Sequence, residues 1–214
     1  MQAELNDNIF GSRWTQLQEQ ANADTANDTA ATVYIRGYRQ VKTSPYTCYI
    51  DRGAFPFDCS VIPVNAILIS AQVGLGVKVK YSGTDETYSY YTVVESQQAS
   101  PTALVIGDYD NIGDAVDNPT KLSNDLYHDD ITASSLFGAW NYWTLNSNGL
   151  ALLQTAITNQ TYVQFGVRQG NDQEDVEPTG TGTLFGSYIQ VITASIVSGK
   201  KPVLIVKWRL PQII

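Results

Sequence analysis

Ile67 to Val79 reads ILISAQVGLGVKV, and the rest of the chain is interpreted around this stretch. Its odd-numbered positions are all apolar and its even-numbered positions are mostly polar or small, a period of two that is typical of a β-strand. We therefore predict a strand that buries its odd-numbered face, with Val73 at the centre. At about 3.3 Å per residue it spans roughly 40 Å, which favours a central strand. Gly74 and Gly76 on the other face indicate a bulge, a bend or the close approach of another chain.

Further strands are predicted on both sides of this stretch. The patterns that predict them lie at 32–41, 53–59, 87–94, 103–106, 142–145, 161–168, 188–195 and 203–208. Pro56 lacks a backbone donor, so its strand belongs at a sheet edge or beside a bulge. The short turn at 61–65 predicts that this strand pairs with the central one. One helix is predicted over GLALLQTAI at 149–157, capped by Asn146 or Ser147.

Length and composition favour a single β domain. The chain has 214 residues, of which 16% are charged, and it contains 13 tyrosines. This profile fits many strands joined by polar turns. We predict an all-β, antiparallel two-sheet β-sandwich of the jelly-roll type with one short helix, and an open barrel as the alternative. The predicted division is an N-terminal arm or short helix at 1–30 and the sandwich domain at 31–214.

The leader at 1–30 is polar but carries Ile9, Phe10, Trp14 and Leu17. Either a short helix follows Ser12, or the segment is an extended arm that docks on a neighbouring subunit. Apolar side chains outside a sandwich need a partner surface. We therefore predict subunit contacts at Phe10, Trp14 and Leu17, and a homo-oligomer or other assembled partner proteins.

Charge and cysteine content exclude several classes of protein. The net charge is −8 and the basic residues are scattered, which argues against a nucleic-acid partner. No stretch approaches the roughly 20 apolar residues of a membrane helix, and the N-terminus lacks the pattern of a secretory signal. Cys48 and Cys59 are too few for a zinc site, and either a disulfide or two free thiols fits the pair.

Few residues indicate chemistry, and no catalytic residue is predicted. The single histidine, His128, lies in a polar loop, and no nucleophile motif accompanies it. The acidic loop at 108–117 resembles a calcium loop in composition but lacks the closing glutamate of an EF-hand, so a plain loop is the alternative and no cofactor is assigned. Trp140, Tyr142 and Trp143 form either a carbohydrate-stacking platform or part of the core.

Three segments resemble jelly-roll domains of the DNRLRE type, which occur in bacterial surface proteins and tailed-phage virion proteins. The first is DRGAFPFDCSVIPVNAILISAQVGL, where the motif is carried by Arg52, Phe57, Asp58, Ser60, Ile62, Pro63, Ala66, Leu68, Ser70 and Ala71. The others are WTLNSNGLALLQTAITNQTYVQFGVR and KPVLIVKW. Cys59 departs from the family pattern, where threonine is common. The resemblance implies the fold more strongly than the function, because jelly rolls host many activities.

These observations lead to two functional hypotheses. The first is a non-enzymatic virion structural protein of a tailed phage, such as a head-decoration, fibre or tail-associated subunit that assembles through its arm and sheet edges. The alternative is a carbohydrate-binding module of a cell surface or tail fibre, with a glycan as its partner. Both place the protein in a virion or at an extracellular surface. An ordered arm buried by another chain favours the first, and a line of exposed aromatic side chains favours the second.

Overall fold

Two antiparallel β-sheets pack face to face, which confirms the predicted all-β sandwich. The computed structural model describes residues 2–6, 13–41, 46–83, 87–179, 183–196 and 199–212. Its strands are β1 Gln2–Asn6, β2 Thr32–Val41, β3 Tyr46–Asp51, β4 Gly53–Asp58, β5 Ile67–Ser82, β6 Tyr90–Glu95, β7 Leu126–Tyr127, β8 Ala139–Thr144, β9 Tyr162–Gln169, β10 Leu184–Ile192 and β11 Val203–Arg209. Its α-helices are α1 Arg13–Gln18, α2 Ser147–Asn159 and α3 Gly170–Gln173. Within these residues, no helix has the length and apolar character needed to span a membrane.

The larger sheet is organised around β5. Its strand order is β1-β3-β2-β10-β5-β11, with β8 also paired to β5, while the smaller sheet has the order β4-β9-β6-β7. Residues 72–74 pair with both β8 and β11, and Val77 pairs with both β8 and β10. Since a strand has only two edges, β10 and β11 lie one after the other along the same edge of β5.

Two β-bulges limit the buried face of β5. Ile69 is an extra residue opposite β11, and Lys78 is an extra residue opposite β10. Each extra residue reverses the alternation of side chains between the faces. The odd-numbered positions are therefore buried only from Ala71 to Val77, and Ile67, Ile69 and Val79 are exposed. The prediction of one buried face from 67 to 79 is wrong at both ends.

The chain crosses between the sheets after β4. Pro56 lies on an outer strand of the smaller sheet, as predicted, but β4 pairs with β9 and not with β5. Two turns reorient the chain: the Ile62 amide donates to the Cys59 carbonyl at 3.1 Å, and the Ala66 amide donates to the Pro63 carbonyl at 2.9 Å. The short connection therefore links opposite sheets and does not form a hairpin.

A second correction concerns the predicted strand at 103–106. The chain instead forms a 3-10 turn at Ile106–Asp108, with the side chains of Val105 and Ile106 exposed. The Val105 amide donates to Asp108 Oδ2 at 2.9 Å, which holds the backbone in a turn. A short apolar run followed by Gly107 and an aspartate thus gives a turn here.

The predicted helix is confirmed as α2. The Asn146 side chain accepts hydrogen bonds from the amides of Asn148 and Gly149, which satisfies donors at the helix N-terminus. Leu153, Ala156 and Ile157 are buried in the core. Because α2 connects β8 in one sheet to β9 in the other, it crosses from one layer of the sandwich to the other. α1 Arg13–Gln18 is the short helix that one of the two alternatives for the leader places after Ser12, whereas α3 was not predicted.

The leader packs on its own domain. Trp14 and Leu17 on α1 are buried in a second core cluster, which includes Cys48, Ile50 and Tyr109. For Trp14 and Leu17, this burial corrects the prediction that the apolar residues of the leader lie outside the sandwich. Trp14 and Leu17 are not available for subunit contact, because their own chain covers them.

The remaining leader predictions divide between described and undescribed residues. Phe10 and Ile9 lie outside the described residues. β1, at the start of the leader, pairs antiparallel with β3 and so extends the larger sheet.

Cys48 and Cys59 are both buried free thiols in separate core clusters. Burial raises the pKa of Cys48 to about 12, so the thiol stays protonated at neutral pH.

Candidate functional site

A buried charged cluster joins two guanidinium groups to one carboxylate. Arg52, Arg168 and Asp172 are completely buried. Arg52 donates from Nη2 to Asp172 Oδ1 at 2.7 Å and from Nε to Oδ2 at 3.0 Å. Arg168 donates from Nε to Oδ2 at 2.8 Å and from Nη2 to Oδ1 at 2.9 Å. The carboxylate thus receives two bidentate contacts, a strong geometry for such a pair.

Backbone carbonyls surround the excess positive charge of this cluster. Arg52 Nη1 donates to the Tyr109 carbonyl at 3.0 Å, and its Nη2 donates to the Gln18 carbonyl at 3.3 Å. Arg168 Nη2 donates to the Val116 carbonyl at 2.8 Å. These carbonyls belong to the leader and to the long loop between β6 and β7. The cluster therefore fixes both segments on the sandwich, and its role is structural.

The ionisation of Asp172 makes the cluster sensitive to acid. Burial raises its pKa, but Arg168 and Arg52 outweigh burial and hold that pKa below its ordinary value. A carboxylate with a lowered folded-state pKa contributes stability that is present above its unfolded pKa of about 3.9 and lost as pH falls through the folded value.

We accordingly expect the melting temperature to fall as the pH drops below about 4, because protonation of Asp172 removes the carboxylate charge that two buried guanidinium groups share. Thermal unfolding followed by circular dichroism between neutral and acidic pH measures this. A carbon NMR titration in which the Asp172 carboxyl titrates at or above its ordinary value would contradict the assignment.

Two carboxylates of the acidic loop at 108–117 hold the backbone on either side of that loop. Asp108 is buried and accepts from the amide of Val105, and Asp114 Oδ1 accepts from the Thr120 amide at 2.6 Å. In the described part of the chain, no group of three or more His, Cys, Asp or Glu side chains is placed to hold a metal ion. Two carboxylates that the calcium hypothesis would use as ligands thus accept hydrogen bonds from backbone amides.

His128 lies on a short 3-10 turn at His128–Asp130 and is half-buried. Its Nδ1 lies 3.5 Å from Asp129 Oδ1. Burial lowers the pKa of His128 below its ordinary value, so the imidazole is mostly neutral at pH 7. His128 was predicted to lie in a polar loop, and the structure shows that its side chain is partly buried there.

The predicted aromatic platform divides between the two faces of β8. Trp143 is 1% exposed and donates from Nε1 to the Tyr91 carbonyl at 2.9 Å. Trp140 and Tyr142 lie on the outer face with stacked rings whose centroids are 5.8 Å apart, and Tyr142 is 40% exposed. The predicted three-residue platform is therefore wrong for Trp143. Side chains alternate between the two faces of a strand, so Trp143 lies in the core while Trp140 and Tyr142 lie together on the outer face.

Gly74 explains how Tyr142 lies close to the sheet. A Cβ at Gly74 would lie 2.8 Å from Val203 Cγ2 and 2.9 Å from Tyr142 Cε1. Any larger residue would force these side chains apart. Side chains of this same chain thus approach Gly74 closely, and the approach of another chain stays a prediction.

A second aromatic surface was not predicted from the sequence. We call it the tyrosine face, and it consists of Tyr34, Arg36, Tyr38, Tyr49, Tyr81 and Tyr188 on the outer side of the larger sheet. The pairing register places Tyr81, Tyr188 and Arg36 in one row across β5, β10 and β2. Tyr38 lies opposite Tyr49 in the neighbouring row. The intervening residues Ile35 and Ile189 face the core, which fixes the tyrosines on the outside.

Ring contacts order the tyrosine face. Tyr81 and Tyr188 stack with centroids 5.3 Å apart, and Tyr38 and Tyr49 stack at 4.9 Å. The Arg36 guanidinium lies 4.5 Å from the centroid of Tyr49 and also contacts the rings of Tyr34 and Tyr38. The alternation of Tyr34, Arg36 and Tyr38 along β2 was the sequence signal, but the strands that complete the face are distant in the chain.

β11 presents an unpaired sheet edge. Among the strands that the structure describes, it pairs with β5 alone. Ile205, Trp208 and the following Leu210 are exposed, as are Ile67 and Ile69 on the adjoining part of β5. An edge strand with unpaired backbone groups and exposed apolar side chains is a template for pairing with another chain.

Comparison with known proteins adds no relative: the chain matches no family model, and no curated protein shows significant similarity to it.

Proposed function

We propose that this protein is a non-enzymatic structural subunit of a tailed-phage virion, such as a head-decoration, fibre or tail-associated protein, that assembles through its sheet edges. The unpaired β11 edge with its exposed apolar side chains carries the proposal. Burial of Trp14 and Leu17 within the chain removes these two contacts from the assembly hypothesis.

The strand order supports a jelly roll. The strands β2-β10-β5-β8 of the larger sheet face β4-β9-β6-β7 of the smaller one, and successive strands mostly alternate between the sheets. Such antiparallel double sheets with Greek-key connections occur in capsid proteins and lectins. The fold alone does not determine function, so the proposal depends on the edge and on the resemblance to virion proteins of the DNRLRE type.

Assembly through β11 predicts that two lysines on its exposed positions dissociate the oligomer. We expect the wild-type protein to be oligomeric and Ile205→Lys with Trp208→Lys to associate at least about tenfold more weakly, because an edge lysine disfavours strand pairing. Sedimentation velocity and native mass measurement over a concentration series test this.

Val105→Lys is the matched control for that experiment, since Val105 is exposed on a loop distant in sequence from β11. It should retain the wild-type mass. Circular dichroism confirms that each variant is folded. A wild-type protein that stays monomeric at high concentration, or a double variant with the wild-type mass, contradicts assembly through this edge.

Carbohydrate binding is the second candidate function. The observation that favours it is the stacked pair of Trp140 and Tyr142 on the outer face of β8. Aromatic ring faces pack against the apolar C–H faces of sugar rings, while hydroxyl groups find polar neighbours. In this alternative the protein acts as a glycan-binding module of a cell surface or tail fibre.

A further inference from the structure

A groove of about 410 Å³ opens beside the tyrosine face. It is lined by Thr25, Ala26, Asn27, Ala30, Thr32, Val33, Tyr34 and Asp51. Tyr34 belongs to both features and is 40% exposed, so its ring borders the groove and remains accessible. The volume lies within the range of small-molecule sites, and the lining combines an aromatic ring with hydroxyl, amide and carboxylate groups.

The wall of this groove is held in place before any ligand binds. Asn27 Oδ1 accepts from the amides of Thr29 at 3.1 Å and Ala30 at 2.8 Å, which closes a tight turn. The Thr193 amide donates to the Ala31 carbonyl at 3.1 Å, and Ser195 Oγ donates to the Asp28 carbonyl at 3.2 Å. A site formed in advance avoids the entropic cost of ordering its loops on binding.

We propose that the tyrosine face and this groove bind a neutral oligosaccharide. The aromatic rings supply flat apolar surfaces for sugar rings. Thr25 and Thr32 supply hydroxyl groups, and Asn27 supplies an amide group for sugar hydroxyls. Tyr188 lies beside Tyr34 with ring centroids 5.6 Å apart, and Tyr188 and Tyr81 are partly exposed, so the accessible rings continue from Tyr34 across β10 and β5. Tyr38 and Tyr49 are 9% exposed and support these rings from the side. This row of accessible rings matches a chain of sugars.

The charges of the site disfavour ionic ligands. Arg36 is paired with Asp51 and enclosed by tyrosine rings, so its positive charge is already neutralised. An anionic sugar would find the positive charge of Arg36 already matched by Asp51, in a chain of net charge −8. A cationic ligand would compete with Arg36 for the faces of Tyr34, Tyr38 and Tyr49. A neutral ligand meets neither obstacle.

The full chain should be applied to an array of neutral, sialylated and sulfated glycans, and the strongest neutral oligosaccharide measured by isothermal titration calorimetry. We expect binding that weakens about tenfold or more in Tyr34→Ala, since the stacking ring is lost. Tyr127→Ala is the matched control, because Tyr127 is an exposed tyrosine on the smaller sheet, and its affinity should equal the wild type.

The outcomes separate this site from the pair on β8. Retained binding in Tyr34→Ala together with loss in Trp140→Ala assigns the glycan to the β8 pair and overturns the proposal. A preference for sialylated or sulfated glycans, or no binding to any neutral glycan, also overturns it. Because Tyr34 is partly exposed, its variant should fold, and circular dichroism checks this. Oligomer mass is a separate measurement, so failure here leaves assembly through β11 untouched.

Discussion

Asp172→Asn is expected to abolish most of the stability of the fold at neutral pH. The change preserves shape but removes the carboxylate that Arg52 and Arg168 share, and both arginines are completely buried. Breaking one buried ion pair costs about 3–5 kcal/mol, because it leaves an uncompensated charge. Here two guanidinium groups lose their partner, in a domain whose total stability is of the order of 5–15 kcal/mol. Urea and thermal unfolding followed by circular dichroism measure the loss.

Glu177→Gln is the control for this experiment. Glu177 pairs with Arg39 at 2.8 Å, but both side chains are partly exposed, so the expected loss is about 1 kcal/mol or less. Asp172→Glu keeps the charge while lengthening the side chain, and should lie between the two. This intermediate variant keeps the test informative if Asp172→Asn does not fold. A melting temperature of Asp172→Asn within a few degrees of the wild type would show that the cluster does not hold the fold together.

The sequence could not predict this cluster, because its members are brought together by tertiary structure. Arg52 appeared only as part of a family resemblance, and Asp172 was one of many acidic loop residues. The two are 120 positions apart, and their contact requires β4 and β9 to pair in the smaller sheet. Complete burial distinguishes Asp172 from the acidic residues that follow it, Glu174 and Asp175, and the burial of a helix as short as α3 leaves no periodic signal in the sequence.

Elements with a local pattern were predicted well. The helix α2 has a capping residue and an apolar face within its own sequence. In β9 the large apolar residues Val163, Phe165 and Val167 occupy every second position of the sequence. Strand partners are not local, which is why the short turn after β4 led to a wrong pairing with β5. Partner strands also determine which face of a strand is buried. In β8 the alternation placed Trp143 and Tyr142 on opposite faces, but it did not show which of the two faces packs in the core.

β5 shows how a partner strand changes the interpretation of a pattern. Its apolar residues alternate without interruption from Ile67 to Val79. Bulges opposite β10 and β11 reverse that alternation at Lys78 and Ile69. Apolar residues at the same two-residue spacing are therefore buried in the middle of β5 and exposed at Ile67, Ile69 and Val79. A period-two pattern thus predicts the strand, while its pairing register determines the buried residues.

Val73→Asp is expected to destabilise the protein by several kcal/mol, whereas Val79→Asp should cost about 1 kcal/mol or less. Val73 is 0% exposed between the sheets, where an unpaired carboxylate has neither water nor a partner. Val79 follows the bulge and is 38% exposed, so water can solvate the new charge. Gln72→Asp on the outer face should also be mild, losing the hydrogen bond to Thr144. Urea unfolding of the three variants measures the differences. Equal losses at Val73 and Val79 would mean that the alternation continues through Lys78 and that the bulge is absent in solution.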